Sequence, residues 1–195
     1  MQAIWTLRAM CAGGALGLAG MALAEPVSGK AARELVFKSD AVEVVIAPVP
    51  GLSEQDIAAL RFAAAQQPYY SAIAMAPSEG LLSEATLAAQ NFHDPDAARA
   101  AALRGCDSAR KGGAPCVIAA EIRPEGWQPR ALSLSAAATE ALQEDYGRGR
   151  GEKALAISPG TGKWAVQKGA DAGPAALAAC ATQGATDCQL AVADD

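Results

Sequence analysis

The chain has 195 residues, of which 51% are hydrophobic and 19% are charged, and its formal net charge at pH 7 is −5. This apolar content excludes an intrinsically disordered body, and the acidic balance argues against a nucleic-acid partner, which would need a basic face. The length predicts one domain or two small fused units.

Residues 1–24 are typical of a secretory signal peptide. Arg8 supplies a positive charge, AMCAGGALGLAGMALA then runs without a charge, and Ala22-Leu23-Ala24 is a small-x-small cleavage site. This run is short for a bilayer span, so we expect cleavage and no stable membrane insertion afterwards. Cleavage removes Arg8 and no acidic residue, so the mature chain is more acidic than the full chain. We expect it to be periplasmic or secreted.

The first elements of the mature chain can be taken in order. Residues 25–34 are predicted to be a flexible lead-in. The β-branched stretch AVEVVIAPV predicts a strand, and SEQDIAALRFAAAQ predicts a helix with Ser53 as its N-cap and Asp56 three residues later. AIAMAPSEG alternates small and large residues and ends in Pro-x-x-Gly, so it predicts a strand and a turn. A further strand is expected over about residues 82–90.

An alanine-rich helix follows, with Asp94 as its N-cap and Pro95 at the first helical position. It ends near Cys106, and a short loop leads to Cys116, which opens the strand CVIAAEI. The stretches RPEGWQPR (123–130) and GRGRGEK (147–153) are predicted surface loops. Between them, SLSAAATEALQEDY predicts another helix.

The remaining elements repeat the earlier ones. AIAMAPSEG (72–80) matches ALAISPGTG (154–162), AALRGC (101–106) matches AALAAC (175–180), and CVIAAEI matches CQLAVAD. Because repeats fix architecture, we predict a first repeat region at 35–123, a connecting loop and helix at 124–152, and a second repeat at 153–195. The fold expected is α+β, with a ferredoxin-like βαββαβ order followed by αββαβ. We expect a largely antiparallel sheet of about seven strands, packed with alanine-rich helices.

Four cysteines remain after signal cleavage: Cys106, Cys116, Cys180 and Cys188. An even number in an exported chain predicts disulfides, and four cysteines allow three pairings. The repeat favours Cys106–Cys116 and Cys180–Cys188, each of which would tie a helix end to a strand start. A zinc site is disfavoured because zinc knuckles need tighter spacings such as C-x-x-C.

The stretch ISPGTGKW resembles the end of a phosphate-binding loop. Such a loop needs G-x-x-x-x-G-K-[ST], but Ile157 stands where the first glycine belongs and Trp164 where the hydroxyl belongs. The first repeat has no lysine at the corresponding place. The stretch therefore predicts a tight turn between two strands, and we expect no cofactor and no metal.

His93 is the only histidine and precedes Asp94 in NFHDPD. As a general base steered by Asp94 it would make the protein a small hydrolase. No serine or free thiol partner lies nearby in sequence, so the pattern favours a loop residue before a helix cap. All four mature cysteines are assigned to disulfides, which leaves no thiol nucleophile. We therefore expect no catalytic residues and a non-enzymatic protein.

Tyr69 and Tyr70 stand at the predicted start of a strand, where alternation would bury one ring and expose the other. Lys163 and Trp164 lie nearby when the repeats are superimposed. These four residues are a candidate recognition surface. The alternative is that the tyrosines fill the core, since the chain has few large side chains.

The order of these motifs resembles a known family. Ala-Ile-Ala with a Ser/Pro/Gly turn, an aromatic-containing second strand, Ala-Leu-x-x-Cys and a second cysteine opening a strand resemble the DUF4189 type of small exported bacterial domain, over about 70–122 and 153–193. In that family the cysteine-ended unit can occur twice, and no activity is established. The resemblance implies an exported domain, and we expect it to bind a protein or a cell-envelope component.

A second resemblance supplies an alternative function. WAVQKGA (164–170), followed by an alanine-rich helix, is similar to the opening strand of the SPOR peptidoglycan-binding domain, whose fold is also ferredoxin-like. This resemblance implies binding to the glycan strands of peptidoglycan.

Overall fold

The computed structural model describes residues 25–37 and 40–195. The predicted signal peptide lies outside the described residues. Within them the chain forms five helices and seven strands, in this order: α1 Gly29–Leu35, β1 Val42–Ile46, α2 Glu54–Ala64, β2 Ser71–Met75, β3 Leu87–Ala89, α3 Pro95–Ala109, β4 Val117–Pro124, α4 Ala136–Gln143, β5 Lys153–Ile157, β6 Trp164–Lys168, α5 Ala172–Ala181 and β7 Gln189–Asp194.

The fold belongs to the α+β class, as the sequence predicts. The seven strands pair in an antiparallel manner, but they are divided between two sheets of order β1-β4-β2-β3 and β6-β5-β7 rather than joined in one. The division arises because β5 takes both β6 and β7 as neighbours within its own repeat. The outer edge of β7 is then occupied by the backbone of Val27, which closes the smaller sheet on that side.

Both helix connections in the larger sheet pass over an intervening strand. Helix α2 joins β1 to β2 across β4, and helix α3 joins β3 to β4 across β2. The predicted βαββαβ element order is therefore present. The two central strands of the sheet are β4 and β2. The order of elements along the chain does not by itself establish a ferredoxin-like arrangement of the strands, so that arrangement stays a prediction.

The alternation of small and large residues in β2 and β5 decides how each sheet is covered. The small side chains Ala72 and Ala74 of β2 face α3, whereas Ile73 and Met75 face the cluster that includes α2. In β5 the same alternation directs the alanines to α5 and the larger side chains to α1 and α4. Both faces of each sheet are consequently covered by helices in the described part of the chain.

The helices that follow each hairpin approach their sheets along a stripe of small residues. Every fourth residue of α3 is buried at Ala98, Ala102 and Cys106, and α5 buries Ala172, Ala176 and Cys180 in the same way. Alanine at these positions lets a helix pack closely on the alanine face of its sheet. The last residue of each stripe is a cysteine, whose sulfur lies beside the start of the last strand of its unit.

The two predicted disulfides are present. Cys106 bonds Cys116 with a Cα–Cα distance of 6.1 Å, and Cys180 bonds Cys188 with a Cα–Cα distance of 6.2 Å. Each ties the helix to the residue just before the final strand of its unit. The two units, each a hairpin, a helix, a disulfide and a last strand, share one set of strand pairings: β4-β2-β3 and β7-β5-β6.

Two local predictions are wrong. The lead-in at 25–34 is not irregular: Ser28 caps α1, whose Ala32 is buried, and the Gly29 N–H donates to Asp194 Oδ1 at 2.9 Å. The strand expected over 82–90 is reduced to β3, because successive turns occupy the residues after Gly80.

Replacement of Cys180 and Cys188 by alanine should lower the free energy of unfolding by about 2–3 kcal/mol, since the bridge restricts the unfolded chain. The Cys106→Ala, Cys116→Ala pair should cost a similar amount, because the two bridges close loops of similar length. Urea unfolding followed by circular dichroism measures both. Unchanged stability in either double variant would contradict the role given to that bridge.

Candidate functional site

The GTGK stretch forms a tight turn between β5 and β6, as predicted. The Ser158 carbonyl accepts hydrogen bonds from the N–H groups of Thr161 and Gly162, at 3.3 and 3.0 Å. In the first unit, Ala76 accepts equivalent bonds from Glu79 and Gly80. The two turns thus share one hydrogen-bonding pattern at the constant offset that relates the two repeats in the sequence.

An aspartate occupies the turn where a phosphate loop would hold its ligand. The Gly160 N–H donates to Asp187 Oδ2 at 2.7 Å, and the hydroxyl of Ser158 donates to the other oxygen of Asp187. Burial opposes ionisation of Asp187, but the hydrogen bonds from Ser158 and Gly160 outweigh it and lower its pKa. The turn is therefore satisfied by the protein's own carboxylate.

The same turn is pressed against the first unit. Gly162 has φ 72°, and a Cβ atom there would lie 2.6 Å from the Asn91 carbonyl oxygen and 3.1 Å from the Phe92 Cα. Only glycine permits both this backbone conformation and this approach. The contact marks a junction between the β5–β6 turn and the loop before α3.

His93 is the polar centre of this junction. Its Nδ1 accepts a hydrogen bond from the N–H of Ser135, the N-cap of α4, at 3.1 Å, and its Nε2 lies 3.1 Å from the carbonyl oxygen of Lys163. Because a carbonyl can only accept, the proton resides on Nε2 and the ring is neutral. The side chain is 2% exposed, and burial lowers its pKa.

The loop position predicted for His93 is confirmed, and the structure adds a role that the sequence did not suggest. The imidazole joins the loop after the first hairpin to α4 and to the turn of the second unit. Ser158 and Asp187 lie in the same region, but they bond each other and Thr161 rather than His93. A hydrolase triad would require the histidine to accept from the serine and donate to the aspartate, and this histidine has both nitrogens engaged with the main chain.

The four residues of the predicted recognition surface are not assembled as one. Tyr69 and Tyr70 are both buried, at 2% and 1% exposure, and their rings meet edge to face at 5.2 Å between centroids. The expectation that one ring is exposed is wrong because Tyr70 has φ 55°, which breaks the alternation of a strand. Lys163 is exposed, and Trp164 is partly buried against the cluster between the smaller sheet and α4.

A cleft beside the junction is walled by several elements of the fold. It has a volume of about 570 Å³. Helix α4 supplies one wall, and the segments before β1 and β2 supply the other. Its lining includes two aromatic rings and three carboxylates, namely Phe37, Tyr69, Asp40, Glu140 and Glu144.

The junction also shapes this cleft. The Asn91 side chain accepts a hydrogen bond from the Ala137 N–H at 3.2 Å and so holds the first turn of α4. Tyr69 and Thr139 of the same helix both line the cleft, and burial raises the pKa of this tyrosine. The position of α4, and with it that of its carboxylates, thus depends on Asn91 and His93.

Sequence reasoning missed Asn91, Ser158 and Asp187. A signal existed for Asp187, since an aspartate directly before the second cysteine follows a turn-rich segment, but its partners Ser158 and Gly160 are distant in sequence. Among the described residues no group of three or more histidine, cysteine or acidic side chains is placed to hold a metal ion. None of the described helices is both long enough and apolar enough to cross a bilayer.

Comparison with protein-family models, with curated proteins and with solved structures finds no match to this chain. The resemblances to the DUF4189 type and to the SPOR domain therefore stay predictions.

Replacement of His93 by glutamine should lower the free energy of unfolding by about 1–3 kcal/mol near neutral pH, because an amide cannot span both main-chain partners. The wild type should also lose stability as pH falls below the usual histidine pKa of 6.5, since the unfolded chain then binds a proton that the folded ring resists. Urea unfolding at several pH values measures both effects.

The glutamine variant should lack this acid-dependent loss, so the two stability curves should converge as pH falls from the usual histidine pKa of 6.5 toward the onset of carboxylate titration. The chain has one histidine, which leaves no other imidazole to explain the difference. Parallel curves in this pH range would contradict the buried neutral ring.

Replacement of Gly162 by alanine should cost at least about 2 kcal/mol, because it adds backbone strain and a clash with Asn91. Gly80→Ala is the matched control: Gly80 has φ 82° in the corresponding turn, and a Cβ atom there meets nothing within 4 Å. Chemical unfolding of both variants separates strain from crowding. Equal losses in the two would show that the close contact at Gly162 contributes nothing.

Proposed function

We propose that the protein is an exported, non-catalytic domain of two disulfide-stapled units that binds a protein or cell-envelope partner. The observation that carries the proposal is the state of the reactive side chains. The imidazole of His93 has both nitrogens hydrogen-bonded to the main chain, and all four cysteines of the mature chain are in disulfides. The groups best suited to acid–base and nucleophilic catalysis thus serve the fold.

The proposed location follows from the sulfur chemistry and the N-terminal sequence. Two disulfides are typical of proteins in an oxidising compartment. Residues 1–24 carry the charge and apolar pattern of an export signal. Together these features favour the periplasm or the exterior over the reducing cytosol.

The parallel construction of the two units supports the proposed duplication. The irregularity in the pairing of β2 with β4 falls between Ile73 and Ala74, and that of β5 with β7 falls between Leu155 and Ala156. The offset between these two positions equals the offset between the two hairpin turns. Independent origins would not require a bulge at matching positions, so a copied segment is the simpler explanation.

The cleft along α4 is the surface we propose for the partner. Three carboxylates line it, and none of its lining residues among those described is basic. The Phe37 ring beside these acids already stacks with the Arg130 guanidinium, 3.5 Å from the ring centroid, and Tyr69 is buried. The carboxylates therefore carry the recognition, and they suit a cationic group with a hydrocarbon stem, such as a lysine side chain of a partner protein.

A titration with trilysine amide should produce saturable shifts of the backbone amide signals of Thr139, Glu140 and Gln143. Neutralisation by Glu140→Gln and Glu144→Gln should weaken the apparent affinity at least about fivefold, since both carboxylates lose their charge. Two-dimensional ¹H–¹⁵N NMR at low salt provides the measurement.

Glu54→Gln is the matched control, because Glu54 is an exposed acid at the start of α2 and does not line the cleft. It should leave the titration unchanged, and a triglutamate peptide should give no shifts. Shifts scattered over the surface, or equal weakening by the control variant, would exclude the cleft as the partner site.

Sedimentation with purified sacculi distinguishes the SPOR-like alternative from the proposal. Our proposal predicts that the Glu140→Gln, Glu144→Gln variant abolishes any retention of the wild type on sacculi. Retention that survives this variant and is removed by a change at Trp164 would favour glycan recognition by the second repeat instead.

A further inference from the structure

Of the four outer sheet edges in the described structure, three are protected against the addition of another strand. The edge strand β3 is only three residues long. The edge of β7 is occupied by Val27, whose N–H donates to Ala191 and whose carbonyl accepts from Ala193. The edge strand β6 ends in Lys168 and follows Lys163. Short strands, a covering segment and lysines are the usual protections of an exposed edge.

Within the part of the chain that the structure describes, β1 itself has none of these protections, and the nearest proline, Pro48, lies beyond its end. Its sequence is Val-Glu-Val-Val-Ile, without lysine or proline. The charge of its one acid, Glu43, is engaged by Arg123 of the neighbouring strand at 2.8 Å. Val45 is 41% exposed. Within the described residues no strand pairs with the side of β1 that faces away from β4.

The register of β1 on β4 identifies the main-chain groups at this edge. The Ala47 N–H donates to Ala119, and the Glu125 N–H donates to Ala41, so odd-numbered residues from 41 to 47 bond to β4. In an antiparallel pair the residues between them direct their N–H and C=O groups the other way. The three outward positions therefore present a row of donors and acceptors to the outside: Val42, Val44 and Ile46.

We propose that two copies of this chain associate by pairing β1 with β1 in antiparallel fashion about a two-fold axis at Val44. In that register Val44 pairs with Val44 of the second molecule, and Val42 pairs with Ile46 of the second molecule. All three outward residues are then paired, which gives about six new main-chain hydrogen bonds. Glu43 faces Val45 of the second molecule, so no like charges oppose each other.

Helix α2 supplies the second reason for choosing an identical partner. It packs on β1 and β4, which places it over the outer half of the larger sheet. Neighbouring strands lie about 4.8 Å apart, so a two-fold axis beside β1 would place the two α2 helices on the same face of the combined sheet, about 10 Å from each other. That spacing is close to the distance at which helices pack.

The exposed side of α2 suits such a contact. Phe62 is 73% exposed, and Ala58, Ala59 and Ala63 of the same helix are also exposed. Phe62 lies on the side of α2 opposite the buried Leu60 and Ala64, from where its ring can fold over the small residues beside a closely spaced second helix. An unrelated extended strand would satisfy the edge of β1 but would leave Phe62 uncovered. The proposal is independent of the cleft on α4 and of its ligand.

The test is the oligomeric state of the exported, oxidised protein, measured by sedimentation equilibrium from low to high micromolar concentration. The wild type should approach twice the monomer mass. Phe62→Lys and Val44→Pro should each weaken dimerisation at least about tenfold, through the helix contact and the strand contact respectively. Leu82→Lys is the matched control: Leu82 is 96% exposed on a turn that does not belong to the proposed interface.

Hydrogen exchange provides a second measurement that does not depend on a variant. The outward amides of Val42, Val44 and Ile46 should exchange rapidly when dilute and slowly when concentrated. The amides of Glu43 and Val45, which bond to β4, should be protected at both concentrations.

Circular dichroism and intact disulfides check that each variant is folded. A monomeric wild type at a concentration on the order of 100 μM would overturn the proposal. So would a dimer that Leu82→Lys disrupts while Phe62→Lys does not, or outward amides whose exchange is independent of concentration.

Discussion

The two hydrogen bonds of His93 connect the first unit to helix α4 and to the turn of the second unit. Each disulfide clamps its own unit internally, and neither crosses from one unit to the other. The imidazole does cross: it accepts from the N-cap of α4 and donates to the turn of the second hairpin. A neutral ring with one donor and one acceptor is required, because both main-chain partners are fixed. Burial favours that neutral form, so the environment and the hydrogen bonds reinforce each other.

Construction from two similar units explains why such a junction is needed. Each unit buries its alanine face against its own helix and closes its own loop with a disulfide, so neither bridge connects the units. They are connected by polar groups, by one close backbone approach at Gly162, and by α4, whose Ala136 packs on the first unit and whose Leu142 packs on the second. Helix α4, which connects the units in sequence, is fixed by Asn91 and His93, and it forms one wall of the acidic cleft. The geometry of the proposed partner site is therefore a consequence of the junction.

Local features of the fold were predictable from the sequence because their causes lie within a few residues. The capping box of Ser53 and Asp56, the cap at Asp94 followed by Pro95, and the period-two alternation of β2 and β5 each act over short distances. The disulfide pairing followed from the repeated sequence pattern, since each bridge closes a short segment within one unit. The turn before Lys163 was likewise predictable, because the corresponding turn of the first unit lacks every phosphate ligand.

The features that sequence reasoning did not predict depend on distant partners. His93 contacts Ser135 and Lys163, and Asn91 contacts the start of α4, all far away along the chain. The backbone of Tyr70 adopts a positive φ that no neighbouring residue indicates, and this buries a ring expected to be exposed. Helix α1 forms because its apolar side packs on the smaller sheet, on the face opposite the one that α5 covers. The division into two sheets has the same origin, since tertiary contacts decide which strands pair.

The engagement of both imidazole nitrogens separates a structural role for His93 from a catalytic one, and the single histidine makes this directly observable. Two-dimensional ¹H–¹⁵N NMR of the imidazole in the folded protein reports which nitrogen carries the proton and how the ring titrates. The account predicts the Nε2–H tautomer near neutral pH, with a pKa below the usual value of 6.5. An Nδ1–H tautomer, a rapidly exchanging mixture of both, or a pKa at or above that value would contradict it.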